Sequence, residues 1–447
     1  MKRIPFRLLA VSSLLIATAM AGTRPRYGGN LRIEIAGTGW EDDGIARKLV
    51  GETLTTIDDK GDVQPALALR WEPQNGSRRW QFWLRPGVKF HDGSLLTPAV
   101  VAQTLSASSC KDCPWRSARA AGDTVVFDSD APMPLLPAQL ALSRFVVTKV
   151  GDNAAVIGTG PFRVDQIVGD KTSLHSFDDY WQAAPFLDSI EIVGGRKQRD
   201  QLLDWTVGRV DVIEIPTEEL RRAQQDRWRV TPTRDVELIA VVIDSNNAAL
   251  QDLRIRQAIS ESVDRNSLLN AIFQHQGEIS STLLPNWLTG YGPLFPASRD
   301  LDQARELRGQ WIAPIPPLTI GYDPADTTEQ LIAERLALNI REIGLTVQAV
   351  ARTQNTDMHV ASVALPSMQP SVALEGIAAT LKLGTATPDD ATPESVYKRE
   401  RALLGDYKAI PLLHVPKGYA ISNRVHNWTL STSGDPILSD VWVGPRL

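Results

Sequence analysis

Cysteine is scarce, with two residues in a chain of 447. A chain this long buries most of its apolar surface without staples, so these two cannot form a framework that holds the fold, and a disulfide scaffold is excluded. Positive charge is short too: 47 Lys and Arg face 52 Asp and Glu. No long basic run or basic helix face offers the footprint a phosphate backbone needs, so nucleic acid is not expected as a partner. Long apolar runs are missing after the N-terminus. The N-terminal apolar run, Leu8 to Ala21, carries no charge and has about 14 residues, short of the roughly 20 that cross a bilayer.

Catalytic signatures are missing as well. There is no Gly-Lys-Ser/Thr phosphate loop, no His-Glu-x-x-His and no Gly-x-Ser-x-Gly, and Gly158-Thr159-Gly160 lacks a third glycine and runs into Pro161. His91, His175, His275, His359, His414 and His426 are scattered without an i,i+4 pair, so no metal site is expected. Asp58 and Asp62 lack the glycine and closing Glu of a calcium loop and read as a solvated turn. No catalytic residue and no cofactor are assigned.

The N-terminus reads as an address. Lys2, Arg3 and Arg7 precede the uncharged run, which ends in Ala19-Met20-Ala21, small residues where a signal peptidase reads. Residues 1–21 are expected to be a secretory signal peptide. No Cys follows the cleavage site, so a lipoprotein anchor is not expected and the mature chain should be soluble and periplasmic. That compartment holds no ATP pool, which disfavours an ATP-driven enzyme. Trp (12) outnumbers Phe (10) and Tyr (7), consistent with wide aromatic surfaces in a core or a ligand cleft.

The body alternates strands and helices. Leu318, Ile320 and Tyr322 alternate as a strand does, and Thr327 with Gln330 makes a capping box. Ile332, Leu336, Ile340 and Ile343 share a helical face, Gly344 suits a left-handed C-terminal cap, and Leu345 to Val350 resumes a strand. This is a βαβ unit with a parallel strand pair. A helix ending at Gly208 leads into the strand Val210–Ile215, and after the strand Val236–Ile243 Asp252 can cap a helix, with Asp264 or Asn266 starting the next. The expected class is α/β with mixed sheets, and without clean linkers its domains should be joined by crossing strands. Cys110-Lys111-Asp112-Cys113 sits in a Ser-rich loop, and three readings stay open: a local structural disulfide, a metal or partner contact, or redox chemistry.

A run of motifs then carries a resemblance. Gly51-Glu52-Thr53-Leu54 leads to Trp80-Gln81-Phe82-Trp83-Leu84-Arg85-Pro86-Gly87-Val88-Lys89-Phe90-His91-Asp92-Gly93. Next come Gly158-Thr159-Gly160-Pro161-Phe162, Asp179-Tyr180-Trp181, Gly208-Arg209-Val210-Asp211, Arg254-Ile255-Arg256-Gln257-Ala258 with Asp264-Arg265, and Ile410-Pro411-Leu412. The order resembles the family 5 extracellular solute-binding proteins, the dipeptide, oligopeptide and nickel receptors of ABC importers. The resemblance implies a two-lobed periplasmic binding protein fold that traps ligand in a cleft between its lobes. Lobe I would comprise 22–44, 157–244 and 418–447, an accessory domain 45–156 would be inserted in it, and lobe II would be 245–417. A hinge is expected near Asp244-Ser245-Asn246 and Val415. The partners it implies are a small-molecule or peptide solute and the permease subunits of an ABC transporter in the inner membrane, with the protein a monomer that catalyses nothing.

Residue spacing gives the signature structural work first: Trp80 and Phe82 alternate with Gln81 as core residues of a strand, and Thr97 with Pro98 starts a helix. The resemblance also implies an acid in lobe II that pairs with a peptide's ammonium, yet Met358 to Ser371 contains none. A roomier or more apolar pocket, with an uncharged or differently charged solute, is the expectation. Candidate ligand contacts on loops facing the cleft are Trp40, Asn246, Trp287, Tyr291, Met368 and Gln369. An orphan carrier or sensor without a transporter, or a secreted hydrolase, are the alternatives.

Overall fold

In the computed structural model the described residues are 25–37, 40, 44–106, 113–151, 155–244, 247–384 and 392–445. The expected signal peptide, Asn246 and Cys110 lie outside them. The chain enters on β1 (Asn30–Glu34), which buries Leu31 and Ile33. It continues in α1 (Ile45–Val50), whose Ala46, Leu49 and Val50 pack in the same core.

It then builds a separate unit. The hairpin β2 (Thr55–Ile57) and β3 (Val63–Pro65) is followed by β4 (Ala68–Gln74), β5 (Arg79–Leu84), α2 (Pro98–Thr104), β6 (Ser117–Ala121), β7 (Thr124–Asp128) and α3 (Leu136–Gln139). The order β4-β5-β7-β6 gives a four-stranded sheet, antiparallel throughout. Trp80 and Phe82 point into this unit's own core, and Trp80 Nε1 donates to the Met133 carbonyl at 2.9 Å. Thr97 caps α2 as expected, its hydroxyl accepting from Val100 N–H.

The short ribbon β8 (Lys149–Val150) and β9 (Val156–Ile157) returns the chain to the first core. There β10 (Phe162–Val168), β11 (Lys171–Ser176) and β12 (Ser189–Val193) pair antiparallel. Strand β1 lies parallel between β12 and β13 (Val212–Ile215). Helix α4 (Gln198–Thr206) precedes β13, with Gly208 in the left-handed region at φ +68 as its position suggested. Helix α5 (Thr217–Gln225) follows.

Next in order come β14 (Val230–Ile243), α6 (Ala248–Gln251), α7 (Leu253–Ser262), α8 (Arg265–Ala271), β15 (Glu278–Ile279), α9 (Asn286–Thr289), α10 (Leu301–Gly309), β16 (Leu318–Gly321), α11 (Thr327–Arg341), β17 (Val347–Val350), β18 (Met358–Ala364), α12 (Pro370–Thr380), α13 (Pro393–Leu404) and β19 (Ala409–Ile421), followed by four two-residue strands. The βαβ unit is there: β16 and β17 are parallel, Leu318 opposite Val347. Its helix is capped by Asp326, which accepts from Thr328 and Glu329 N–H, and not by the expected Thr327–Gln330 box. A carboxylate one residue earlier is the better acceptor and faces the positive helix end, while Gln330 turns to Glu334.

One eleven-stranded sheet joins both lobes in the order β10-β11-β12-β1-β13-β19-β14-β18-β16-β17, with β15 on β19. Strands β14 and β19 run through both. Past the crossing β14 is covered on both faces, with Ile239, Val241 and Ile243 in one core and Leu238, Ala240 and Val242 in another. Its unbroken apolar run is therefore required. Of the hinge expected near Asp244-Ser245-Asn246, Ser245 and Asn246 lie outside the described residues. Residues 237–243 already pair with β18, and the ladder to β19 breaks register between Pro232 and Asp235 and again before Glu237. Proline removes a ladder donor and bulges bend the strand, so β14 is irregular at Pro232–Asp235, opposite Pro416–Gly418.

Candidate functional site

The motif residues hold the scaffold. Glu52 accepts from Thr159 Oγ1 (2.8 Å), Tyr180 Oη (2.9 Å) and Trp181 Nε1 (2.9 and 3.0 Å), so three separate motifs meet on one carboxylate. Arg85 lies over the Trp181 ring at 4.3 Å. His91 accepts from Gly158 N–H and faces the Gly160 carbonyl at 3.0 Å. Gly158 is no phosphate cradle: a Cβ there would stand 2.0 Å from the Val50 carbonyl oxygen, so glycine is needed for close packing on α1. Asp211 accepts from Arg32 N–H and pairs with Arg424. Arg256 donates to the carbonyls of Leu250, Gln251 and Asp406. Arg265 donates to those of Ser280 and Pro411.

Different residues gather where the lobes meet. In open α/β sheets, ligands bind outside the carboxyl ends of the strands. At those ends of β1 and β13 stand Glu34 and Glu214. Glu34 pairs with Arg196 at 3.4 Å, and burial raises its pKa, partly offset by Arg196. Glu214 accepts from Ala36 N–H at 2.8 Å. On the crossing strands Lys417 pairs with Glu237 at 3.2 Å. The charges of Glu237 first, and Glu214 as well, hold the Lys417 ammonium pKa above its usual value. Glu237 also accepts from Ser362 Oγ of β18. At the start of α11, burial pushes Glu329 up to about 7, helped by Asp326, Asp323 and Glu237. The line Glu214, Lys417, Glu237, Glu329 thus runs from one lobe to the other. Beside it, burial raises Asp235 to about 6, with Glu278 adding repulsion. The lobes also touch at Glu218, which accepts from Thr328 Oγ1 through its carboxylate and from Gln274 Nε2 through its carbonyl.

Of the residues expected to contact ligand, Trp287 reaches this region: its Nε1 donates to the Asp235 carbonyl at 3.3 Å and Arg234 lies over its ring. Trp40 packs against the first core. Tyr291 donates to Glu400 inside the second lobe and meets Tyr397 edge-on. Met368 is buried in that lobe's core, and Gln369 caps α12 by accepting from Val372 N–H. Cys113 is disulfide-bonded. Glu214, Glu218, Glu237, Glu329 and Lys417 were not singled out from the sequence. The available signal was a lone charge in an apolar strand, Glu237 in Val236–Ile243 and Lys417 in Ile410–Ile421.

Residues 62–376 match the family described as bacterial extracellular solute-binding proteins, family 5 Middle. The oligopeptide-binding protein AppA of Bacillus subtilis is 23% identical over 257 residues, 51% of this chain and 47% of its own. This chain thus spans about half the length of that relative. NikA from Staphylococcus aureus, crystallised with Ni(L-His)2, superposes with a TM-score of 0.80 at 16% identity over 93% of this chain and all of its own. DppA from Helicobacter pylori, in complex with the peptide STSA, gives 0.79 at 18% identity over 95% of this chain and 99% of its own. The likeness shows the two-lobed fold of the periplasmic binding proteins.

Proposed function

Because this chain belongs to the bacterial extracellular solute-binding proteins, family 5, we propose that it captures a peptide or peptide-like solute carrying a cationic group between its lobes. It then delivers that solute unaltered to the permease subunits of an ABC importer. The family is one of binding proteins and not of enzymes, so the hydrolase reading falls. Residues 1–21 would be removed on export and the mature monomer would work in the periplasm. The accessory unit would fill 45–156, and the second lobe would be 245–417.

One observation carries the solute class: Glu214 and Glu237 both act on the ammonium of Lys417, and Glu329, raised first by burial, also feels the charge of Glu237. Carboxylates taken out of water without enough counter-charge are stabilised by a bound cation. The acid missing from Met358–Ser371 would thereby be replaced from other elements, and the uncharged or differently charged solute expected from the sequence narrows to a cationic one. A solute touching both lobes favours the closed form only by its differential affinity. Calorimetry with one peptide carrying a free and then an acetylated amino terminus tests this. The free amine should bind at least about tenfold tighter, a difference of roughly 1.4 kcal/mol, and Glu237→Gln should reduce that preference. Equal affinity for the two peptides removes the reading.

A further inference from the structure

At the end of β14 away from the crossing, two adjoining hollows of ≈ 390 and ≈ 330 Å³ share Lys382, Leu383 and Lys408. The first is lined also by Arg399 and Asp406, the second by Arg256, His359 and Asp244. The larger holds more than ten times the roughly 30 Å³ share of one water.

The cations here are not equally employed. Arg256 spends its guanidinium on three backbone carbonyls. Lys382, just past the C-terminus of α12, complements the negative end of that helix. Arg399 and Lys408 have no such explanation. Among the described residues, neither they nor Lys382 has an ion-pair or side-chain hydrogen-bond partner, and Arg399 Nε is shut off from solvent with no acceptor. A guanidinium N–H left without an acceptor is unfavourable, and at Arg399 it lies on a hollow lined by two further cations. Lys382, Arg399 and Lys408 around the first hollow, in a chain of net charge −5, exceed what Asp406, the carboxylate in its lining, neutralises. A guanidinium fork flanked by two ammonium groups suits a phosphate dianion.

We propose that this hollow, at the start of β19 and remote from the interlobe floor, binds a phosphate-bearing group, either a free phosphate compound or a lipid headgroup. The proposal does not depend on the solute reading. Titration of the full-length mature protein with inorganic phosphate, in phosphate-free buffer at low salt, should show saturable one-to-one binding. Arg399→Gln and Lys408→Gln should each weaken it about tenfold or more, and added salt should weaken it further. Lys408 is exposed, so Lys408→Gln keeps the test decisive even where Arg399→Gln disturbs the fold. No saturable binding up to about 10 mM, a ceiling corresponding to under 3 kcal/mol, or unchanged affinity in Lys408→Gln, overturns the proposal. Flotation with phosphatidylglycerol against phosphatidylcholine vesicles then identifies the source. Selective flotation lost in Lys408→Gln assigns the headgroup, and phosphate binding without flotation assigns a free compound.

Discussion

Two carboxylates show what single residues contribute. Glu52 joins α1 to the loops carrying Thr159 and Tyr180-Trp181, and truncating it leaves three donors without their acceptor. Glu52→Ala should lower the unfolding free energy by about 2–4 kcal/mol in urea denaturation, and a change under about 0.5 kcal/mol would show that the joint is solvated. Burial pushes Glu400 up to about 7, well above the usual carboxylate range, against the opposing bonds from Tyr291, Leu284 and Leu283. A raised carboxyl pKa means the folded state keeps its proton longer, so this group's contribution falls as pH rises from about 4.5 to 7. The shift corresponds to about 3 kcal/mol. The stability lost between pH 4.5 and 7.5 should therefore be smaller in Glu400→Gln than in the parent, and identical losses would contradict the assignment. These roles were only partly legible in the sequence. The motifs marked Glu52, His91, Asp211 and Arg265 as important, but their partners lie far away along the chain, and no local pattern says that Thr159, Tyr180 and Trp181 share one carboxylate.

At the scale of elements, periodicity served best where structure is local. The unit β16-α11-β17 was readable because a helical stripe and two alternating strands are properties of neighbouring residues. The irregularity of β14 was not, because it lies in pairing register, at Pro232–Asp235, while the apolar run continues to Ile243. Nor was the docking of the accessory hairpin. Gly61 between β2 and β3 has φ +86, and a Cβ there would stand 2.7 Å from the Met368 carbonyl oxygen at the start of α12. Gly87 has φ +79 with open space around its Cβ direction. Both Gly→Ala changes incur left-handed strain of about 1 kcal/mol, and Gly61→Ala must in addition displace a backbone segment of the second lobe. Thermal denaturation should rank Gly61→Ala at least about 1 kcal/mol less stable than Gly87→Ala. Equal effects would mean that the hairpin does not rest on the second lobe.

The whole molecule combines an electrostatic seam with a jointed sheet. The family motifs gave the two-lobed architecture and the crossing strands that replace linkers. They did not give the seam, because Glu214, Glu237, Glu329 and Lys417 come from four elements and meet only after the sheet forms. With burial holding Glu329 near 7 and Asp235 near 6, these acids ionise as pH rises from about 5 to 8. Affinity for a cationic solute should therefore increase over that range and level off above it. Glu329→Gln should flatten the upper part of the profile, and a profile unaltered by that change would remove Glu329 from the site. The halves of a hinged receptor would turn about the irregular stretch Pro232–Asp235 and its partner Pro416–Gly418. Spin labels on Leu203→Cys of α4 and Leu331→Cys of α11, both exposed, report the separation directly by pulsed dipolar spectroscopy. In protein stripped of solute the distance distribution should be broad or long, and it should narrow to a single shorter distance when material recovered from the native protein is added back. One distance, identical with and without that material, would contradict a hinged receptor.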